Sequence, residues 1–210
     1  MKKLAIVGSG DLGQQIAYHA AAGNHYEMAG YFDDFENKGS VKKGLPVLGS
    51  INDVMQAYEQ GIFEVLMVGI GYHHFAKRRE VFTQFKGKIP FANLVHSSSY
   101  IDPSCKIGEG IFVYPGCVVD MASVLEDNVL LNAGCIIAHD SHIGFNSMLA
   151  PGVNIAGFVR IGMSVHLGIG TIVIDGTNIT DDTRTGAGAV VVNNLEEPGL
   201  YVGIPAKKIK

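Results

Sequence analysis

Stepping along the chain by six from Val95 meets Val, Ile or Leu at sixteen of seventeen successive positions up to Val191, Thr185 being the exception. Four residues after each of these stands Ser, Thr, Cys, Ala or Val in fifteen of seventeen cases, Ile111 and Leu195 departing. Three residues after each, Gly, Asn or Asp occupies twelve of seventeen positions. No insertion breaks the register. A strand turns successive side chains to opposite faces, so each hexad reads as a short strand with a small and an aliphatic residue inward, and the two residues left over must turn a corner. Gly, Asn and Asp collect at the second corner residue because they tolerate a left-handed backbone. Three sides of six residues close one coil, and the coils stack at the ~4.8 Å strand spacing into a prism roughly 25 Å tall.

The first ninety or so residues follow a different pattern. Leu4–Val7 and Glu27–Phe32 read as strands around a helical segment, Gln14–Ala22, whose apolar spacing is near 3.6. A second helix is expected over Ile51–Tyr58, a buried strand over Phe63–Gly71, and a third helix over His74–Phe85 with Lys77, Arg78, Arg79 and Glu80 on its wet side. This alternation implies a parallel sheet with helices on both faces, and ligands of such sheets sit beyond the carboxyl ends of the strands. Three segments fall there: Gly8–Gly13, Asp33 with Asp34, and Gly69–His74, which includes Gly71. Gly8-Ser-Gly10-Asp-Leu-Gly13 is G-x-G-x-x-G after a strand, with an acidic pair about 20 residues on, the pattern of a dinucleotide site. So little chain fits one mononucleotide-sized half, and the glycines serve either phosphate or nucleotide-sugar binding or only a tight turn. With half the chain in another architecture, a dehydrogenase is not expected.

Composition narrows the partners. Hydrophobic residues make up 47% and charged residues 17% of 210, as in a packed globular protein, and the net charge of −4 offers no basic footprint for nucleic acid. No charged and apolar leader opens the chain and no apolar run approaches the ~20 residues of a membrane span, so a cytoplasmic protein is expected. Cys105, Cys117 and Cys135 are odd in number and lack C-x-x-C spacing, which argues against a disulfide framework and a metal site. All three fall on the small inward position, which demotes Cys135 as a nucleophile despite its nearness to His139.

Outward positions stack every eighteen residues. One side carries Phe112, Tyr114, Leu130, Met148 and His166; the next Val118, Ile136, Ile172, Ile174 and Val190; the third Lys106, Glu126, His142, Arg160 and Asn178. Two sides are apolar, and exposed apolar sides of that extent imply burial against other chains. His139 and Asp140 are the corner residues between the second side and the polar third, so His139 should project from an edge where a neighbouring chain could close over it.

The hexads, with the C-terminal Gly203-Ile-Pro-Ala-Lys-Lys-Ile209, resemble the hexapeptide-repeat acyltransferases. Preceded by a glycine loop and an aspartate pair, they further resemble the sugar acetyltransferases that include the UDP-4-amino-sugar N-acetyltransferases and the sialic acid O-acetyltransferase-like proteins. The resemblance implies an α/β Rossmann-like nucleotide-sugar domain over residues 1–94 and an all-β left-handed parallel β-helix over 95–210, with a C-terminal tail. It implies a homotrimer with acetyl-CoA in the grooves between prisms. His139 would deprotonate the acceptor, imidazole being suited to exchange a proton near neutral pH. Asp140 would raise its basicity, or only fill the corner slot. The second histidine of the N-acetyltransferases is Met148 here, leaving its coenzyme contact missing or supplied by His166. Ile169 and Ala187 match backbone contacts to the pantetheine arm, and Lys207 with Lys208 could meet its phosphates. Gly10, Asp11 and Leu12 align with the substrate loop, with Asp-Leu where Gly-His is usual, and Asp33 and Asp34 match the aspartates that recognise the uracil or sugar end. The implied reaction is acetyl transfer to a nucleotide-linked amino sugar, a UDP-4-amino sugar being favoured; sugar O-acetylation and a non-catalytic nucleotide-sugar-binding trimer stay open.

Overall fold

A computed structural model describes all 210 residues and divides them into two compact units, Met1–Leu94 and Val95–Lys210. In the first unit the chain runs β1 (Lys3–Val7), α1 (Asp11–Ala22), β2 (Glu27–Phe32), β3 (Val41–Lys42), β4 (Leu45–Gly49), α2 (Val54–Glu59, entered through a 3-10 turn at Ile51–Asp53), β5 (Val65–Val68) and α3 (Phe75–Phe85). The sheet order is β3-β4-β2-β1-β5, parallel except for the β3–β4 hairpin. Strand β1 sits at its centre with Leu4, Ala5, Ile6 and Val7 fully buried, and α1 covers it with Ile16, Ala17 and Ala20. The hairpin escapes a sequence reading because its turn residues, Lys43 (φ 47°) and Gly44 (φ 84°), adopt the left-handed pair of a tight turn without the Asn or Asp that signals it.

Arg78 corrects the expected wet side of α3. It is 2% exposed, because Phe75, Arg78, Val81, Phe82 and Phe85 form one stripe at helical spacing and Arg78 lies inside it. Burial pulls its guanidinium down to about 9. Lys77, Arg79 and Glu80 stay at least partly exposed.

Helix α1 approaches the sheet closely enough to need glycine. A Cβ on Gly13 would collide with the Gly8 carbonyl, and one on Gly69 would lie 2.6 Å from Gly13 Cα. Both obstacles are backbone and cannot rotate away. Gly13→Ala is therefore expected to destabilise the first unit by about 1–3 kcal/mol, read as a lowered denaturation midpoint.

The second unit is a left-handed parallel β-helix. Its strands pair in parallel with partners eighteen residues away: Tyr100, Val118, Ile136, Asn154, Ile172 and Val190 on one side, Lys106, Val124, His142, Arg160 and Asn178 on another, and Phe112, Leu130, Met148, His166 and Arg184 on the third. The inward aliphatic positions from Val113 to Ile179 form one buried column, with Cys117 and Cys135 inside it and Cys105 packed against it. All fourteen second corner residues from Gly110 to Gly188 have positive φ, whereas Ser98 and Ser104 at one end and Asn194 at the other do not, so the corner rule read from the sequence holds through the body of the prism and lapses at its ends.

One expectation fails. Phe112, Tyr114, Leu130 and Met148 are each 7% exposed or less in a single chain, so that side is not an open apolar face. The exposed apolar side is the one bearing Val118, Ile136, Ile172 and Ile174, at 39 to 46%. Periodicity tells which residues leave the prism but not what then covers them. No helix is long and apolar enough to cross a membrane.

Candidate active site

Val7 pairs with both Phe32 and Val68, so β1, β2 and β5 end level and the loops that follow share one edge of the sheet. Gly8, Asp33, Asp34, Phe35, Ile51, Gly69, Gly71, His74 and Lys77 line a cavity of about 500 Å³ there. Asp33 clasps the loops together. Its Oδ2 accepts from the Ser9 N–H at 2.8 Å and the Ser9 hydroxyl at 2.7 Å, and its Oδ1 accepts from the Phe35 N–H at 2.9 Å. Asp34 Oδ1 accepts from Ile51 N–H at 2.8 Å, fixing the same loop to the 3-10 turn that leads into α2. Burial alone would raise the Asp33 pKa, but the hydrogen bonds from Ser9 and Phe35 hold it below the ordinary value. A depressed folded-state pKa stabilises the fold fully above about pH 4 and is lost as pH falls through the folded value. Asp33→Asn is accordingly expected to lower stability at neutral pH and to flatten the acid limb of the unfolding midpoint plotted against pH.

Of the sequence-derived substrate residues, Asp33, Asp34 and Gly71 meet at this cavity; Gly10, Asp11 and Leu12 do not line it. Gly10 caps α1, and Asp11 opens its first turn. A larger cavity of about 1050 Å³ runs along α1 and β2 past Asp11, Tyr18, Tyr26 and Tyr31, and includes neither aspartate of the pair. His74 closes the Gly69–His74 segment expected at this edge, whereas sequence reasoning misses Phe35, at 97% exposure, together with Ile51 and Lys77; a lone aromatic after Asp-Asp carries no pattern.

In the second unit, His139 stands at the corner between the exposed apolar side and the polar side, its side chain 44% exposed. Its Nδ1 lies 3.0 Å from Asp140 Oδ2, so the carboxylate can hold the ring with Nδ1 protonated and leave Nε2 as a free acceptor. Asp140 has φ 56°, the left-handed conformation of its slot, and so meets the turn requirement while also bonding the imidazole. Gly157, one coil on, lies beneath the ring: a Cβ there would come within 2.8 Å of His139 Cε1 and 2.9 Å of Nε2. The phenyl of Phe158 meets the ring edge to face, centroids 5.1 Å apart at 87°.

The other candidates lie elsewhere on the prism. Met148 is buried and offers little surface to a coenzyme, whereas His166, its neighbour in register, is half-buried. Ile169, 60% exposed, and Ala187 stack at the opposite corner of the exposed apolar side, joined by the Gly188 N–H to Ile169 carbonyl bond of 2.7 Å. His142 is engaged by Glu126 at 2.7 Å on the polar side. Lys208 is paired to Glu197 at 2.6 Å, and Lys207 is exposed beside it. One chain therefore places His139 on one edge of the apolar side and Ile169 with Ala187 on the other.

Residues 3–85 match the family described as the PglD N-terminal domain. Among solved structures, PerB from Caulobacter crescentus, in complex with CoA and GDP-perosamine, is 30% identical, with a TM-score of 0.91 over 100% of this chain and 98% of that one. This chain belongs to the hexapeptide-repeat sugar acetyltransferases. The acetyltransferase domain of PglB from Neisseria gonorrhoeae, in complex with acetyl coenzyme A, is also 30% identical, with a TM-score of 0.90 over 99% of each chain. WeeI from Acinetobacter baumannii shares the fold of this acetyltransferase at 18% identity and a TM-score of 0.73 over 100% of each chain. Comparison with curated protein sequences gives no match.

Proposed function

We propose that this acetyltransferase moves an acetyl group from acetyl-CoA to the amine of a nucleotide-linked amino sugar, with His139 as general base. The observation that carries the reading is the half-exposed imidazole, tied at Nδ1 to Asp140 and lying on Gly157 at the rim of an exposed apolar face. The Caulobacter relative, in complex with CoA and an amino-sugar nucleotide, and the Neisseria relative, in complex with acetyl coenzyme A, support it.

The coenzyme brings an acetyl group activated as a thioester. The acceptor amine forms the new C–N bond as the C–S bond breaks, and it must shed a proton as it does so. His139 Nε2 takes that proton, and the resulting imidazolium, steadied by Asp140, can return it to the departing thiolate. No covalent link to the protein is needed. Ile169 and Ala187 present an exposed corner and Lys207 an exposed cation, which suits a long polar arm ending in phosphates. In the first unit, Gly10 and Gly71 cap helical segments with ordinary negative φ, and a Cβ on either would meet nothing within 4 Å. Neither turn nor packing requires glycine at these two positions, which leaves close approach by a ligand as the physical reason. Such a ligand would be the nucleotide diphosphate.

Because His139 and the Ile169 corner lie on opposite edges of one apolar side, a second chain must supply the missing edge, and a cyclic trimer closes three such seams. Release of thiol from acetyl-CoA, assayed with UDP-, GDP- and dTDP-linked amino sugars and their hydroxyl counterparts, tests the reading. Amine-dependent release with one nucleotide is expected, UDP being favoured by the sequence resemblance. Absence of release with every acceptor would overturn it. Asp140→Asn keeps a residue that tolerates left-handed backbone, so it should fold normally while kcat falls roughly tenfold; unchanged kcat would leave Asp140 as a turn residue only.

A further inference from the structure

Phe158 breaks the corner rule of its own prism. Its slot is filled by Gly, Asn or Asp in twelve of seventeen hexads, and elsewhere only by Ser or Ala. Phe158 nonetheless takes φ 59°, a conformation that is an outlier for a bulky side chain. The gain does not come from burial, since the residue is 61% exposed. A strained backbone that supports an exposed phenyl points to a role outside the fold. Its one ring contact is with His139, edge to face, so imidazole and phenyl form two walls of a right-angled corner. Gly157, without a side chain, leaves the floor of that corner open to the ring.

We infer that Phe158 is the platform for the acceptor sugar, and so a specificity-determining residue of the transfer; the inference rests on the function proposed above. An amine that reaches Nε2 carries its carbon with it, and the pyranose ring behind that carbon falls within contact range of a phenyl 5.1 Å from the imidazole. The C–H face of a pyranose is apolar and packs on an aromatic face, whereas the acetyl group is too small to use it.

The test is steady-state kinetics of Phe158→Asn, Phe158→Gly and Phe158→Tyr in the full-length protein, with the melting temperature and oligomeric mass measured alongside. Asn and Gly suit the left-handed slot, so both variants are expected to melt at or above the wild-type temperature with the mass unchanged. The acceptor KM should rise roughly fivefold or more, the acetyl-CoA KM should stay within about twofold, and Tyr should restore the wild-type acceptor KM. An unchanged acceptor KM, or a rise confined to acetyl-CoA, overturns the inference while the proposed function stands. A fall in oligomeric mass would assign the phenyl to a subunit contact and overturn it as well. Failure of the wild-type protein to acetylate any amino sugar removes the function and the inference together.

Discussion

Replacement of His139 by alanine is expected to lower kcat by a factor of about 10² to 10⁴ without unfolding the protein. The ring is half-exposed, and its partners are Asp140, Phe158 and the surface of Gly157, so its removal leaves no cavity in the prism core. The edges proposed to bind coenzyme and sugar are untouched, so both KM values should hold while kcat collapses, as when an interaction made only in the transition state is removed. Near-wild-type turnover would end the assignment of the base. His142 is the natural control. It is held by Glu126 on the polar side, and His142→Ala should leave kcat within about twofold.

Gly157→Ala should have the next largest effect, for a steric reason. The added methyl would sit 2.8 to 2.9 Å from two atoms of the His139 ring, closer than carbon contacts allow, and its obstacle is the free end of a side chain rather than backbone. The ring therefore swings aside. Stability should change by less than about 1 kcal/mol, while Nε2 moves by an ångström or so, enough to cost on the order of 10² in kcat. A double-mutant cycle separates this from any other cause: once His139 is alanine, Gly157→Ala should do no further harm. Additive losses would show that Gly157 acts independently of the imidazole.

Much of this is legible in the sequence alone. The prism follows from one aliphatic and one small residue per hexad, because a six-residue side leaves no other way to bury them, and His139 is visible as a histidine in a corner slot that has no use for one. The hidden parts have physical reasons. Arg78 reads as a wet residue by its charge, and only the registry of its helix against Phe75 and Phe82 places it inside. The covered side of the prism, with Phe112 and Tyr114, looks the same in sequence as the open side with Ile136 and Ile172, since periodicity is blind to what lies across from it. Asp33 reads as a ligand-recognising residue, but its oxygens first serve Ser9 and Phe35, a use that depends on two loops meeting at one sheet edge. Phe158 stands in plain view as the sole bulky residue of its slot, yet its meaning requires the neighbouring ring.

The claim that each reaction centre is shared by two chains has a direct test in mixed assemblies. His139→Ala lacks the base edge; Ile169→Arg blocks the opposite edge; each alone should be inactive. Dissociated, combined in equal amounts and reassembled, they should recover about a quarter of wild-type thiol release, because one seam in four then joins two intact edges. Recovery no greater than the sum of the separate variants would contradict the account and place the whole reaction within a single chain.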